Sequence, residues 1–209
     1  MSWLIWVLVP AMYGLFCLWY FNWKGPLSQG EIDDVVDRFA ELETNKHTEP
    51  AVVRKFLEDD DGKEFVMLNL IQLHENKVAD PVTGEQRKPR ELLASYFKSF
   101  LFASMKRAGH AVVQTRTVGG NVDSWNAEGN VGFAVTSMMR YRSRRDLVEL
   151  LIDPAFADSH LYKLAAIERT ISYPTQTMLS TSLRPPISVF IILFLIASLA
   201  QNLVFLVNL

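Results

Sequence analysis

Phe65-Val66-Met67-Leu68-Asn69-Leu70-Ile71-Gln72-Leu73 is apolar almost throughout, rich in strand-forming residues, and interrupted in its middle by Asn69. Periodicity alone does not separate a short buried strand from a buried helical segment. The punctuation on either side does. The acidic turn Asp59-Asp60-Asp61-Gly62 precedes the stretch, and a charged loop bearing Pro and Gly follows it, both of which favour a strand. We read it as the first, central strand of a small α/β domain, buried on both faces.

Outward from this strand the chain becomes charged, and then charge stops. All 44 charged residues, 21 basic and 23 acidic, lie between Lys24 and Arg184. Each charge-free end is long enough to cross a bilayer, since roughly 20 apolar residues span the hydrocarbon core. The expected organisation is an N-terminal membrane helix (1–24), an amphipathic helical linker (25–63), a soluble domain (64–182) and a C-terminal membrane helix (183–209). Trp3 and Trp6 at one edge, and Trp19, Tyr20 and Trp23 at the other, suit the headgroup level. Pro10 predicts a kink there. A cleaved signal peptide is the rival reading, but no basic leader or small-residue cleavage site precedes Lys24. In the second apolar segment, Gln201 and Asn202 predict packing of that helix against another. The net charge of −2 gives no argument for nucleic acid as a partner. Cys17 stands alone and forms no intramolecular disulfide.

Within the linker, Ile32, Val35, Val36 and Phe39 fall at helical spacing opposite Asp33, Asp34 and Asp37. A second short helix starts near Thr48, with Pro50 in its first turn. Packing on the domain or lying along the membrane are both open to this pair. Their acidic polar faces argue against strong binding to anionic lipid. After the central strand a polar loop runs from Glu75 to Pro89. The strongest helix of the soluble part follows, from Arg90 to Ala108 and ended by Gly109. His110 to Val118 and Val131 to Tyr141 read as strands. Ser143 and Asp146 form a capping box opening a helix with Leu147, Leu150 and Leu151, and Asp153-Pro154 restarts a helix to about Arg169. Ile171 to Met178 reads as a fourth strand, its Pro174 suited to an edge.

The order strand–helix–strand–strand–helix–strand is the ferredoxin-like βαββαβ arrangement, so the fold class is α+β. The pieces Val66-Met67-Leu68-Asn69-Leu70, Tyr96-Phe97, Ala108-Gly109-His110-Ala111-Val112, Met139-Arg140-Tyr141-Arg142-Ser143-Arg144 and Leu151-Ile152-Asp153-Pro154-Ala155-Phe156 occur in order, closed by Ala165-Ala166-Ile167-Glu168. Together they resemble a bacterial family of unknown function in the dimeric α/β-barrel superfamily, over about half of the chain. The resemblance implies pairing of two domains through their sheets, and a cleft between sheet and helices able to hold a small molecule. The wider superfamily includes cofactor-free monooxygenases, lactone isomerases and haem enzymes, and fold at this level does not fix function. The chain departs from the family ahead of the third strand, where Gly132-Phe133 stands in place of a tryptophan followed by aspartate.

For chemistry, His47, His74, His110 and His160 show no metal-binding spacing at short range. No metal or cofactor is called for. His110 opens a strand directly after Gly109, where it can shuttle a proton or simply meet water. Asn69, alone among apolar neighbours, must find hydrogen bonds, either from a ligand shared with Tyr96 or Trp125 or by tying the sheet to its surroundings. These four residues, Asn69, Tyr96, His110 and Trp125, form the candidate cleft. Arg140, Arg142, Arg144 and Arg145 form the one dense basic cluster, read either as an anion or lipid contact or as pairs to the many acidic side chains. Asp59-Asp60-Asp61-Gly62 lacks the ligand spacing of a calcium loop, and Gly119-Gly120 is followed by no phosphate-loop helix.

The leading expectation is a non-catalytic, membrane-anchored accessory or scaffolding subunit of a larger membrane assembly, docking or dimerising through its α/β-barrel domain. Membrane lipid, other integral subunits and a second copy are its expected partners. The alternative is an enzyme or binding protein, monooxygenase- or isomerase-like, acting on a quinone, lipid or aromatic molecule. With two spans the termini share one side. Lys24 and Arg184 favour a domain on the cytoplasmic side of a bacterial inner membrane.

Overall fold

The computed structural model describes residues 2–42, 48–126 and 132–207. Contacts divide the chain into two units, residues 1–23 with 177–209, and residues 24–176. His47, Asn208 and the expected start of the third strand at Val131 lie outside the described residues.

The terminal unit consists of α1 (Ser2–Tyr20) and the last helix, Pro185–Val207. Both are long and apolar enough to cross a membrane. They pack antiparallel, since Trp6 meets Phe194 at 6.0 Å and Tyr13 meets Phe190 at 5.5 Å between ring centroids. Edge-on aromatic contacts of this kind favour the offset geometry that ring quadrupoles prefer. Ala197 is fully buried in the last helix, where a small side chain lets backbones approach. Helix α1 ends at Tyr20, three residues before the expected edge. Phe21 N–H and Trp23 Nε1 both donate to the Cys17 carbonyl, at 3.1 and 3.3 Å.

The larger unit is α+β. Its elements are α2 (Gln29–Glu41), α3 (Pro50–Glu58), β1 (Phe65–Leu73), β2 (Val78–Ala79), β3 (Gln86–Arg87), α4 (Pro89–Lys106), β4 (His110–Arg116), β5 (Val135–Tyr141), α5 (Arg144–Leu151), α6 (Pro154–Ala166) and β6 (Ile167–Thr175), with the apolar α7 (Pro185–Val207) beyond it. The four long strands form one antiparallel sheet in the order β4-β5-β1-β6. Strand β1 is therefore central, as expected. Pro174 sits on β6, an edge strand, where its missing N–H breaks no ladder. The fourth strand runs four residues earlier than its hydropathy suggests, because the chain passes from α6 into β6 at Ala166 without a loop.

One expectation is corrected. Strand β1 is buried at Phe65, Val66, Ile71 and Leu73 but half-exposed from Met67 to Leu70. Helices α4, α5 and α6 cover one face only, where Leu92, Tyr96, Phe100, Leu147, Leu150 and Phe156 pack on Phe65, Ile71, Met139 and Tyr141. Among the described residues, no helix of this unit packs on the other face, which presents Leu68, Leu70, Met138, Ile171 and Val113. A continuous apolar run normally signals a strand covered on both faces; here it does not.

Helices α2 and α3 pack on the domain. Ile32, Val35, Val36 and Phe39 join Val53, Leu57, Val148 and Ile152 in a second core against α5. Ser28 caps α2 in a full capping box with Glu31, a pattern the sequence displays as Ser followed three residues later by Glu. At Ser143, the hydroxyl accepts from the Asp146 N–H at 3.1 Å and donates to its carboxylate at 2.5 Å. The end of α4 corrects another expectation. Ala108, not Gly109, takes the left-handed turn, with φ 56°. Ala108 N–H donates to Met105 O and Gly109 N–H to Ser104 O, the bonding of a Schellman motif. Gly109 is required for closeness instead, since a Cβ there would lie 3.1 Å from Ser104 Cβ and 3.3 Å from Arg140 O.

Candidate functional site

The basic cluster is turned inward. Arg140 Nε and Nη2 donate to one oxygen of Glu64 at 2.9 and 2.7 Å, and Nη1 donates to Ala108 O at 2.6 Å. Arg142 pairs with Asp146. Arg144 lies 4.7 Å over the Phe56 ring, donates to the Phe56 carbonyl and stands 3.7 Å from Asp60. Arg145 grips Glu31 through Nε at 3.0 Å and Nη2 at 3.2 Å, and reaches Gly25 O and Pro26 O. Four guanidiniums thus bind four carboxylates, from α2, the α3–β1 turn and α5. This arrangement is what a buried arginine needs, because an uncompensated charge in the interior is costly.

The Glu31–Arg145 pair carries a pH signature. The Arg145 guanidinium, aided by the Ser28 N–H and hydroxyl, holds the Glu31 carboxyl at about 2. Its depressed folded-state value means the contribution is complete above the ordinary carboxylate range and lost as pH falls toward 2. The carboxylate is nearly half exposed, so solvent screening limits the pair to about 1 kcal/mol. Glu31→Gln is therefore expected to lower stability by about 1 kcal/mol at pH 7. That gap should shrink between pH 4.5 and 2, as read by denaturation at each pH. A gap independent of pH would show that the pair contributes nothing electrostatic.

The four cleft candidates do not converge. Asn69 lies on the helix-facing side of β1. Its amide donates to Met67 O at 3.1 Å and approaches Ser137, while the Ser172 hydroxyl donates to its carbonyl at 2.8 Å. It ties three strands together. Tyr96 is buried in α4 among Phe100, Phe156 and His160, and burial pushes its phenol up. His110 opens β4 and pairs in register with Arg140; burial holds its imidazole below the ordinary value. Trp125 is exposed in the loop after β4. In the apolar hairpin, Gln201 Oε1 is buried with no hydrogen-bond donor among the described residues, whereas Asn202 is exposed.

Sequence reasoning passed over two features. Lys163 has its ammonium 5.9 Å over the Tyr96 ring and its pKa lowered by burial. Its position between Tyr162 and Leu164 was the available signal. The second is a groove of about 430 Å³ between α4 and strands β1, β4 and β5, with Leu93 and Phe97 on the helix side, Leu73 and Val135 beneath, and Arg90, Gln114 and Arg116 around it. A further cavity of about 540 Å³ opens beside Phe56, Phe65 and Pro174. None of the four cleft candidates lines either.

No family model and no curated protein matches the chain. Two crystal structures resemble it, both of RPA0582, a protein of unknown function from Rhodopseudomonas palustris. The methylated form is 20% identical with a TM-score of 0.54, over 65% of this chain and 96% of that one. The second is 19% identical with a TM-score of 0.53, over 64% and 96%. At such identity the likeness speaks for the fold alone.

Proposed function

We propose that the chain is a membrane-anchored, non-catalytic accessory subunit whose α+β unit pairs with a second copy through the uncovered face of its sheet. The observation that carries the reading is that face itself. Leu68, Leu70, Met138, Ile171 and Val113 sit side by side across four strands with no helix of their own unit over them among the described residues. Joined to a twin, such a face removes apolar surface from water on both copies. The strand order β4-β5-β1-β6 with its connecting helices also supports the finer assignment, a ferredoxin-like domain of the dimeric α/β-barrel type. The two apolar helices would anchor each copy in a bacterial inner membrane. Lys24 and Arg184 support a cytoplasmic domain, and Gln201, with its unpartnered carbonyl, would meet a donor from a neighbouring membrane subunit.

The test is mild-detergent extraction of the tagged full chain, with its mass read by light scattering and its companions identified. A dimer recovered stoichiometrically with other integral membrane proteins is the expected result. Leu68→Lys, at the middle of the face, is expected to weaken pairing by about 2 kcal/mol or more, roughly thirtyfold, with circular dichroism unchanged. A monomeric wild-type chain, or a Leu68→Lys protein that stays dimeric, would remove the sheet face from the interface.

A further inference from the structure

We infer that the groove between α4 and the helix-facing side of the sheet is a binding site for a carboxylate carrying a short apolar tail. Its chemistry is two-sided. Leu73, Leu93, Phe97 and Val135 make an apolar bed, and Arg90 and Arg116, on opposite walls, add two guanidiniums.

What distinguishes these two arginines is that they share one groove while most of the others are engaged. Arg140, Arg142, Arg144 and Arg145 all bind carboxylates of their own chain. Arg54, Arg87 and Arg107 do the same. Among the described residues, Arg90 and Arg116 have no carboxylate within 4 Å. Glu91, next to Arg90, stands 3.9 Å from Arg87. Two planar guanidiniums across an apolar groove match a carboxylate bidentately, which a point charge cannot.

The groove is also continuous with a polar row. Gln114, Ser137, Asn69 and Ser172 stand in register across all four strands on the helix-facing side. Gln114 ends that row inside the groove and offers the bound group a neutral donor. The volume, about 430 Å³, falls within the roughly 300–1,000 Å³ typical of small-molecule sites. This assignment is independent of pairing between copies, which uses the opposite face of the sheet.

The experiment is calorimetric titration of the full chain in phosphatidylcholine nanodiscs with octanoate, and with octanol as the uncharged match, each against empty discs. Octanoate is expected to bind one per chain, about tenfold more tightly than octanol. The double variant Arg90→Gln/Arg116→Gln is expected to lose that preference while unfolding at the wild-type temperature, since both side chains are exposed. Binding of octanoate no stronger than to empty discs would overturn the assignment. So would equal binding of octanol, or undiminished octanoate binding by the double variant.

Discussion

Glu64→Ala is expected to destabilise the α+β unit by about 3 kcal/mol, and Arg140→Met by less than half of that. The asymmetry follows from where each charge sits. Arg140 is 3% exposed and has Glu64 as its carboxylate partner, whereas the Glu64 side chain is 29% exposed. Removing Glu64 takes from a buried cation the carboxylate it binds, and breaking a buried pair from one side costs about 3–5 kcal/mol. Removing Arg140 leaves a carboxylate that water can reach, and methionine of similar length keeps most of the packing. Loss of the bond to Ala108 O still loosens the end of α4. Thermal unfolding of the full chain in matched detergent decides the matter. A fall of roughly 10 °C for Glu64→Ala is expected for a unit of this size, and an equal or larger fall for Arg140→Met would refute the argument.

Phe156→Ala is expected to cost about 4 kcal/mol. Phe156 lies among Tyr96, Phe100 and His160, with ring centroids 5.8, 5.9 and 6.0 Å away. It is 3% exposed and joins α6 to α4 above the sheet. Large-to-small changes at such positions lose the transfer free energy of the ring and leave a cavity, typically 3–5 kcal/mol together. The aromatic contacts add to this. Chemical denaturation should show a lowered midpoint with an unchanged slope. A loss below about 1.5 kcal/mol would mean that α6 collapses onto α4 and fills the space.

The candidate site was less legible than the fold, for a physical reason visible at particular residues. A row of arginines from Arg140 to Arg145 reads equally as a ligand contact or as a set of internal pairs. Its partners Glu64, Asp60 and Glu31 are up to 114 residues distant in sequence, and only folding brings them within reach. Arg90 and Arg116 belong to no motif of the sequence. Their interest arises from lining one groove with no carboxylate within 4 Å among the described residues, and that fact belongs to no window of sequence. Asn69 was recognisable as a residue needing hydrogen bonds, but Ser137 and Ser172 became its partners through strand register. Bulges add to the difficulty. The shift between Ala111 and Val113 changes which side chains of β4 share a face, and simple alternation does not foresee it.

By itself, the sequence determined the α+β class, the order of the helices and the four long strands, the central place of Phe65–Leu73, the edge position of Pro174 and the two apolar helices, but not the short β2–β3 ribbon within the loop from Glu75 to Pro89. These follow from local periodicity, backbone-restricting residues and the absence of charge over long runs, all of which act on neighbours in the chain. Only the tertiary structure decided that one face of the sheet lies outside the helical layer, that α2 and α3 pack on α5, and that the arginines from Arg140 to Arg145 meet carboxylates while Arg90 and Arg116 line a groove. Those are outcomes of register and packing between distant segments. An apolar strand reports that burial is favourable, but not which surface will provide it.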